Sequence, residues 1–283
     1  MSARKIAVGL VLAALFFSTV FWLPMPVALP LLLALCGVCT REFYALLGAC
    51  SIPHFKFVGL LGGLALMVAT WCGSRCAWCS PDDSDWLVLF LVTAGVFVRQ
   101  FPQKNNPRPL ETVAGTLLGV MYVPFLFNFV TKLVVGWGEE AGRLLVLYLV
   151  VVVKAVDTGA YFVGCSIGRH KLIPRLSPAK TWEGLAGGVA SGLLGSVVVW
   201  ALTRGRFGPL TMTLTDAVAL AGVLTAAGVL GDLTESLFKR AAGVKDSGRM
   251  LGRMGGMLDV MDSLLFTAPT LYLYVRFFLE AAP

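Results

Sequence analysis

Long apolar runs alternate along this chain with short segments that hold nearly all of its charge. Nine runs stand out, near residues 6–23, 27–47, 57–73, 86–101, 110–131, 144–163, 184–203, 215–234 and 263–280. Each is long enough, or nearly so, to cross a hydrocarbon layer of about 30 Å as a helix. The pattern therefore predicts an all-α, polytopic integral membrane protein with about nine transmembrane helices. The first run follows the basic start Met1-Ser2-Ala3-Arg4-Lys5, and Pro24-Met25-Pro26 reads as a tight turn into the second. No clean small-x-small cleavage pattern follows it, so it is expected to be retained and not removed as a signal peptide. The third and fourth runs are short and rich in glycine, which leaves their ends loosely defined.

Composition agrees with the pattern. Of 283 residues, 57% are hydrophobic and only 14% charged, against about 25% charged in an ordinary soluble domain. The mean hydropathy is +0.81. A disordered chain, a soluble enzyme domain and a secreted disulfide scaffold are excluded on this ground. The net charge of +7 is distributed unevenly. If the nine runs all cross, the N-terminus and every second loop carry sixteen Lys and Arg, the other loops carry six, and Lys154 lies within a run. That asymmetry predicts a cytoplasmic N-terminus, an external C-terminus and a plasma (inner) membrane protein whose most basic loops face the cytoplasm. Residues 1–143 form about five spans, and residues 144–283 form about four with the chemistry-bearing loops. The surplus charge suits anionic lipid or phosphate ligands, and no nucleic-acid partner is expected.

Three clusters hold ionisable groups in or beside the spans, where such groups are costly and are usually kept for a reason. The first is Lys154-Ala155-Val156-Asp157-Thr158-Gly159-Ala160-Tyr161. Asp157 and Tyr161 share a helix face, and Lys154 is placed to pair with Asp157. That pair either locks helix packing or lines a polar cavity. The second is Ser177-Pro178-Ala179-Lys180-Thr181-Trp182-Glu183-Gly184. Ser177 reads as an N-cap and Pro178 as the first helical residue. The free N–H groups of such a turn, with Ser177, Lys180 and Thr181, form a phosphate cradle, or else an ordinary capped helix end with interfacial Lys and Trp. The third and densest cluster runs from Gly231 to Ser263 and holds five carboxylates and five Lys or Arg. Asp232, Glu235, Ser236 and Lys239 make a polar stripe on one helix, and Asp259 and Asp262 make a second acidic face. Between them stand Arg240, Lys245, Asp246, Arg249 and Arg253. Carboxylates of this kind suit a hard cation, and the basic residues suit a ligand that brings phosphates with it.

These residues carry a family resemblance. Ser236-x-Phe238-Lys239-Arg240-x4-Lys245-Asp246-x-Gly248, followed by Gly255-Gly256-x-x-Asp259-x-x-Asp262, resembles the signature of phosphatidate cytidylyltransferases, the CDP-diacylglycerol synthases. The segments Asp157-Thr158-Gly159-Ala160-Tyr161 and Ser177-Pro178-Ala179-Lys180-Thr181-Trp182-Glu183-Gly184 resemble two upstream motifs of the same family, in the right order. The likeness covers about 154–265. The chain departs from the family at Gly252-Arg253-Met254-Gly255-Gly256, where a Pro-Gly-His-Gly-Gly stretch is usual, and at Val260, where an Arg is usual. If that His or Arg touches the nucleotide, this chain either does without it or uses Arg249 or Arg253 instead.

The resemblance implies that phosphatidate and CTP are the substrates and that CDP-diacylglycerol and pyrophosphate are the products. It implies Mg²⁺ held by Asp232, Asp259 and Asp262, with a second cation, monovalent included, left open. Asp157, Lys239, Arg240, Lys245 and Asp246 are the expected catalytic group. Ser177, Lys180, Thr181, Ser236, Arg249 and Arg253 are expected to bind substrate. Membrane lipids are the expected surroundings, and a homodimer is compatible with this reading. Two other readings fit the charges: a CTP-dependent lipid-alcohol kinase, and an ion-coupled transporter with intramembrane carboxylates. A binding protein that has lost activity is a third. The spacing Cys72-x3-Cys76-x2-Cys79 matches that of an iron–sulfur motif, but it sits at a span end with no soluble domain around it. Gly62-Gly63 and Gly187-Gly188 are expected to mark close helix packing.

Overall fold

The computed structural model describes residues 25–76, 81–251 and 255–280. The predicted span at 6–23, Cys79 and Arg253 lie outside the described residues. In chain order the helices are α1 (Met25–Ala49), α2 (Lys56–Gly73), α3 (Pro81–Gln100), α4 (Pro109–Val120), α5 (Leu126–Gly136), α6 (Glu139–Ile167), α7 (Trp182–Thr203), α8 (Leu214–Ala241) and α9 (Leu258–Tyr274). A π-turn at Met121–Phe125 joins α4 to α5, and another at Val275–Leu279 follows α9. The only strands among the described residues form two short hairpins: β1 (Lys171–Ile173) with β2 (Ser177–Thr181), and β3 (Arg206–Phe207) with β4 (Leu210–Thr211).

Among the described residues, six segments are long and apolar enough to cross a membrane: Val27–Ala49, Lys56–Gly73, Pro109–Gly136, Glu139–Ile167, Trp182–Thr203 and Leu214–Ala241. The predicted runs at 86–101 and 263–280 are helical but are not among the six. Helix α3 opens on Asp82, Asp83 and Asp85, and α9 gives way to the π-turn after Tyr274. The chain forms two compact units, Met1–Val135 with Phe238–Met261, and Gly136–Leu237 with Asp262–Pro283.

In the first unit, small residues let large ones lock helices together. The ring of Tyr44 occupies the space that a Cβ would need at Gly59 and at Gly119. Its hydroxyl donates to the Thr116 carbonyl at 2.8 Å, and the Thr116 hydroxyl accepts from the Phe55 N–H at 2.8 Å. Gly62 admits Val92, and Gly63 admits the ring of Pro124. Pro124 has no N–H to give its helix, and the backbone widens there into the π-turn. Val92, Val96 and Val120 form an apolar centre backed by Val58, Leu89 and Leu117. Cys72 and Cys76 are exposed free thiols.

In the second unit, α6 and α7 pack backbone to backbone. A Cβ on Gly187 would lie 2.9 Å from the Gly159 carbonyl, and one on Gly184 the same distance from the Ala160 carbonyl. This is the small-residue contact by which apolar helices associate in lipid. Tyr148 and Ser196 share a 2.7 Å hydrogen bond, and Ser196 donates on to the Ala217 carbonyl, tying α6, α7 and α8.

The start of α7 differs from the sequence expectation. Ser177 is not an N-cap and Pro178 is not in a helix: both belong to β2, which pairs antiparallel with β1 in the register Lys171↔Thr181 and Ile173↔Ser177. The helix begins at Trp182, and Thr181 is the cap, accepting from the Gly184 N–H at 3.1 Å. The Ser-Pro pair imitates a helix start locally, but pairing with Lys171–Ile173 claims the backbone.

Candidate active site

Each unit gathers part of the predicted set. In the second unit, the pair expected from spacing is present: Lys154 Nζ lies 3.1 Å from Asp157 Oδ2, with both side chains nearly half exposed. From the hairpin, Lys180 Nζ reaches Asp232 Oδ2 on α8 at 2.8 Å. Ser236, one turn on, makes a long 3.4 Å hydrogen bond to the other Asp232 oxygen. Asp262, on α9, is buried, and its Oδ1 accepts from the Ser263 N–H at 2.6 Å. Its other oxygen accepts no hydrogen bond among the described residues. Asp262 feels the charges of Asp232, Asp157 and Lys154. Gly231 makes this approach of α8 to α9 possible, since a Cβ there would lie 2.5 Å from the Asp262 carbonyl.

The turn that carries Lys180 and Thr181 is held from behind. Glu183 accepts from the backbone N–H groups of Arg169 and His170 and meets His170 Nδ1 at 2.6 Å. The Trp182 N–H donates to the His170 carbonyl at 2.9 Å. This anchor fixes the hairpin against the first turn of α7.

In the first unit, Lys239 and Asp259 form a largely buried ion pair at 2.7 Å. The second Asp259 oxygen accepts from the Ser247 N–H (2.9 Å), the Ser247 hydroxyl (2.8 Å) and the Gly256 N–H (2.6 Å). One carboxylate thus gathers both ends of the loop between α8 and α9. Gly255 takes φ +94°, and a Cβ there would collide with Asp259, so glycine is required on two grounds. Lys245, Asp246 and Arg249 stand exposed on this loop. Arg240 is exposed at the end of α8 and donates to the Val244 carbonyl at 3.4 Å.

Two contributors escaped the sequence reading. Glu42, on α1, accepts from the Leu258 N–H at 2.8 Å and the Ser247 hydroxyl at 3.4 Å. It fills the space beside Gly248 and Gly256 where a Cβ would stand. An acid inside a predicted apolar run was the available signal. Ser247 was the other, unremarkable among loop residues.

Among the described residues no group of three or more His, Cys, Asp or Glu is arranged as a metal site. Asp259, expected as a ligand beside Asp232 and Asp262, lies in the other unit with both its oxygens engaged. Asp232 and Asp262 carry hard oxygen donors, and one Asp262 oxygen is unclaimed. That donor chemistry fits a small divalent cation.

The model of the cytidylyltransferase family matches residues 3–278. The chain is 42% identical over 141 residues to a phosphatidate cytidylyltransferase of Haemophilus influenzae, covering 48% of this chain and 47% of that one. It is 33% identical over 234 residues to a phosphatidate cytidylyltransferase of Staphylococcus epidermidis, covering 80% and 82%. It is also 36% identical over 197 residues to the uncharacterized protein YnbB of Escherichia coli, covering 67% and 63%. The matched stretches thus span between about half and about four fifths of these relatives' lengths.

Proposed function

The chain belongs to the cytidylyltransferase family, and from that premise we propose that it joins CTP to phosphatidate, giving CDP-diacylglycerol and pyrophosphate. One observation carries the reading beyond family membership. In an apolar helix bundle, buried Asp262 lies within electrostatic reach of Asp232 and of Asp157, with Lys180 on Asp232 and Lys154 on Asp157. Such a group is costly in a membrane protein unless it serves a ligand.

Phosphatidate's phosphate oxygen is already an anionic nucleophile. It attacks the α-phosphorus of CTP, the bond to the β-phosphate oxygen breaks, and pyrophosphate leaves with that electron pair. No strong general base is needed. The burden is to bring two polyanions in line and to neutralise the leaving group. Asp232 and Asp262 would hold Mg²⁺, with Asp157 beside them. The bound ion supplies neutralising charge to the phosphates. Lys180 binds a phosphate and, until then, neutralises Asp232. Ser177, Thr181 and Ser236 add hydroxyl donors. Within its own unit, Asp259 fixes the loop that presents Lys245, Asp246 and Arg249, and this loop with Lys239 and Arg240 has the charge to suit phosphates.

In this reading about nine helices cross the plasma membrane with the N-terminus inside, because that topology gathers the basic loops on the cytoplasmic side. CTP then arrives from the cytoplasm and the lipid through the bilayer. The test is purified protein in detergent with phosphatidate, Mg²⁺ and labelled CTP. One pyrophosphate per CDP-lipid supports the transfer. CDP with a newly phosphorylated lipid marks a kinase and overturns it.

A further inference from the structure

The corner between α1 and α2 holds a groove that none of the motifs above explains. Its volume is about 580 Å³, and its walls include Arg41, Tyr44, His54, Lys56, Phe57 and Leu60. The floor is shallow in side chains, since Ala45 and Gly48 continue the exposed face of α1 below Arg41. The six residues that join α1 to α2 connect two segments able to cross a membrane, Val27–Ala49 and Lys56–Gly73. The corner therefore sits at a bilayer boundary, where headgroups meet chains.

The walls are fixed in advance. Tyr44 is held by Thr116 and wedged against Gly59 and Gly119. His54 stacks on Tyr44 with ring centroids 4.9 Å apart, and its Nδ1 is 2.9 Å from the Ile52 carbonyl. The Phe55 N–H is taken by Thr116. Ser51, at φ 59°, makes the sharp reversal that brings these groups together. Preorganised walls lower the cost of ordering a ligand.

The charge on the rim is unbalanced. Arg41 and Lys56 are exposed, and neither has a carboxylate partner among the described residues. Glu42, next to Arg41, is committed elsewhere, to Leu258 and Ser247. Lys56 lies over the Phe57 ring, 5.1 Å from its centroid. Phe57 and Leu61 are about two-thirds exposed on the α2 side. Two cations above an apolar trough complement an amphiphile with a doubly charged head. We propose that this groove binds a glycerophospholipid ending in a phosphate monoester, its phosphate between Arg41 and Lys56 and an acyl chain along Phe57 and Leu60. A phosphodiester lipid offers only one negative charge to the same two cations. That the bound lipid is substrate on its way to the transfer rests on the function proposed above. The binding itself does not.

The experiment measures binding without CTP. Purified full-length protein in phosphatidylcholine nanodiscs is titrated with fluorescent phosphatidate or, in a parallel arm, phosphatidylglycerol. Phosphatidate should bind several-fold tighter than phosphatidylglycerol. Arg41→Gln with Lys56→Gln should weaken phosphatidate binding at least about tenfold. Ala45→Trp, which fills the trough without changing charge, should do the same. Lys104→Gln with Arg108→Gln, an equal charge loss outside the groove, should leave it intact. Equal binding of the two lipids overturns the monoester assignment, and unweakened binding in both groove variants overturns the site. Binding that behaves as expected in a protein that makes no CDP-lipid would overturn the transferase reading and leave the site standing.

Discussion

Lys239 and Asp259 meet at 2.7 Å with both side chains largely out of solvent, and the same carboxylate holds Ser247 and Gly256. A single contact thus joins the end of α8, the start of α9 and the loop between them. Removing one partner of a buried pair costs about 3–5 kcal/mol, because the other charge is left uncompensated. Lys239→Ala should lower the unfolding midpoint and open the loop to protease, in addition to lowering activity. Asp259→Asn leaves Lys239 uncompensated and weakens the acceptor that holds Ser247 and Gly256, so it should expose the loop more. A double-mutant cycle on protease sensitivity would report the coupling. Strict additivity would show that the pair does not organise the loop.

Asp232 and Lys180 present the opposite case, a partly exposed pair at 2.8 Å that has little to contribute to stability. If they serve phosphate and cation, Asp232→Asn should cut CDP-lipid formation by at least about 100-fold with thermal stability and helix content unchanged. Lys180→Ala should raise the KM of one substrate. Chelation of divalent ions should abolish turnover in the parent protein, and Mg²⁺ should restore it. A variant Asp232→Asn that turns over at the parent rate would remove this carboxylate from the site.

Glu42 supports the loop from α1, through the buried N–H of Leu258. Glu42→Ala strands that donor, at about 1–3 kcal/mol. Hydrogen exchange at Leu258 and its neighbours should accelerate, while Glu42→Gln, which keeps an acceptor, should stay close to the parent. Equal protection in Glu42→Ala would show that the loop is held by Asp259 alone.

The contrast between these residues shows what was legible beforehand. Asp157, Lys180, Asp232 and Asp262 stand out because charge in an apolar chain is conspicuous, and helical spacing alone puts Lys154 on the same face as Asp157. The runs that are helical among the described residues are legible for the same reason, since length and hydropathy are local properties. Ser177 was misread because an N-cap is recognised from a few residues, whereas a strand is settled by a partner elsewhere in the chain, here Lys171–Ile173. Glu42 went unnoticed because its meaning lies in Leu258 and Ser247, some two hundred residues away. Contacts of that range have no signature in a window of sequence.

Gly231 illustrates a residue whose role is an absence. A Cβ there would stand 2.5 Å from the Asp262 carbonyl and 3.3 Å from the Ser263 Cα. Backbone cannot yield as a side chain end can, so α8 and α9 would have to part. Gly231→Ala should destabilise the protein by about 1–3 kcal/mol and should also lower activity, because Asp232 and Asp262 would separate. Thermal unfolding and CDP-lipid assays on the same preparation test both. Loss of stability without loss of activity would uncouple the packing from the site.

The buried pair of Asp85 and Lys132, at 2.7 Å, tests whether every ionisable group in the bundle serves chemistry. It differs from the groups around Asp232 in being closed. Thr70 donates to Asp85 Oδ1 at 2.5 Å, and Asn128 donates to Thr70 at 2.7 Å and to Asp85. Both charged side chains are nearly inaccessible. Such a network specifies how α2, α3 and α5 meet, and it offers no ligand a way in. Lys132→Met should therefore cost about 3–5 kcal/mol by leaving Asp85 uncompensated. Adding Asp85→Leu should recover most of that loss, since replacing a buried pair by apolar residues is often neutral. If the network is purely structural, the double variant should keep its full rate of CDP-lipid formation when assayed below its unfolding temperature. A stable double variant with no activity would instead place this pair among the groups that serve the reaction.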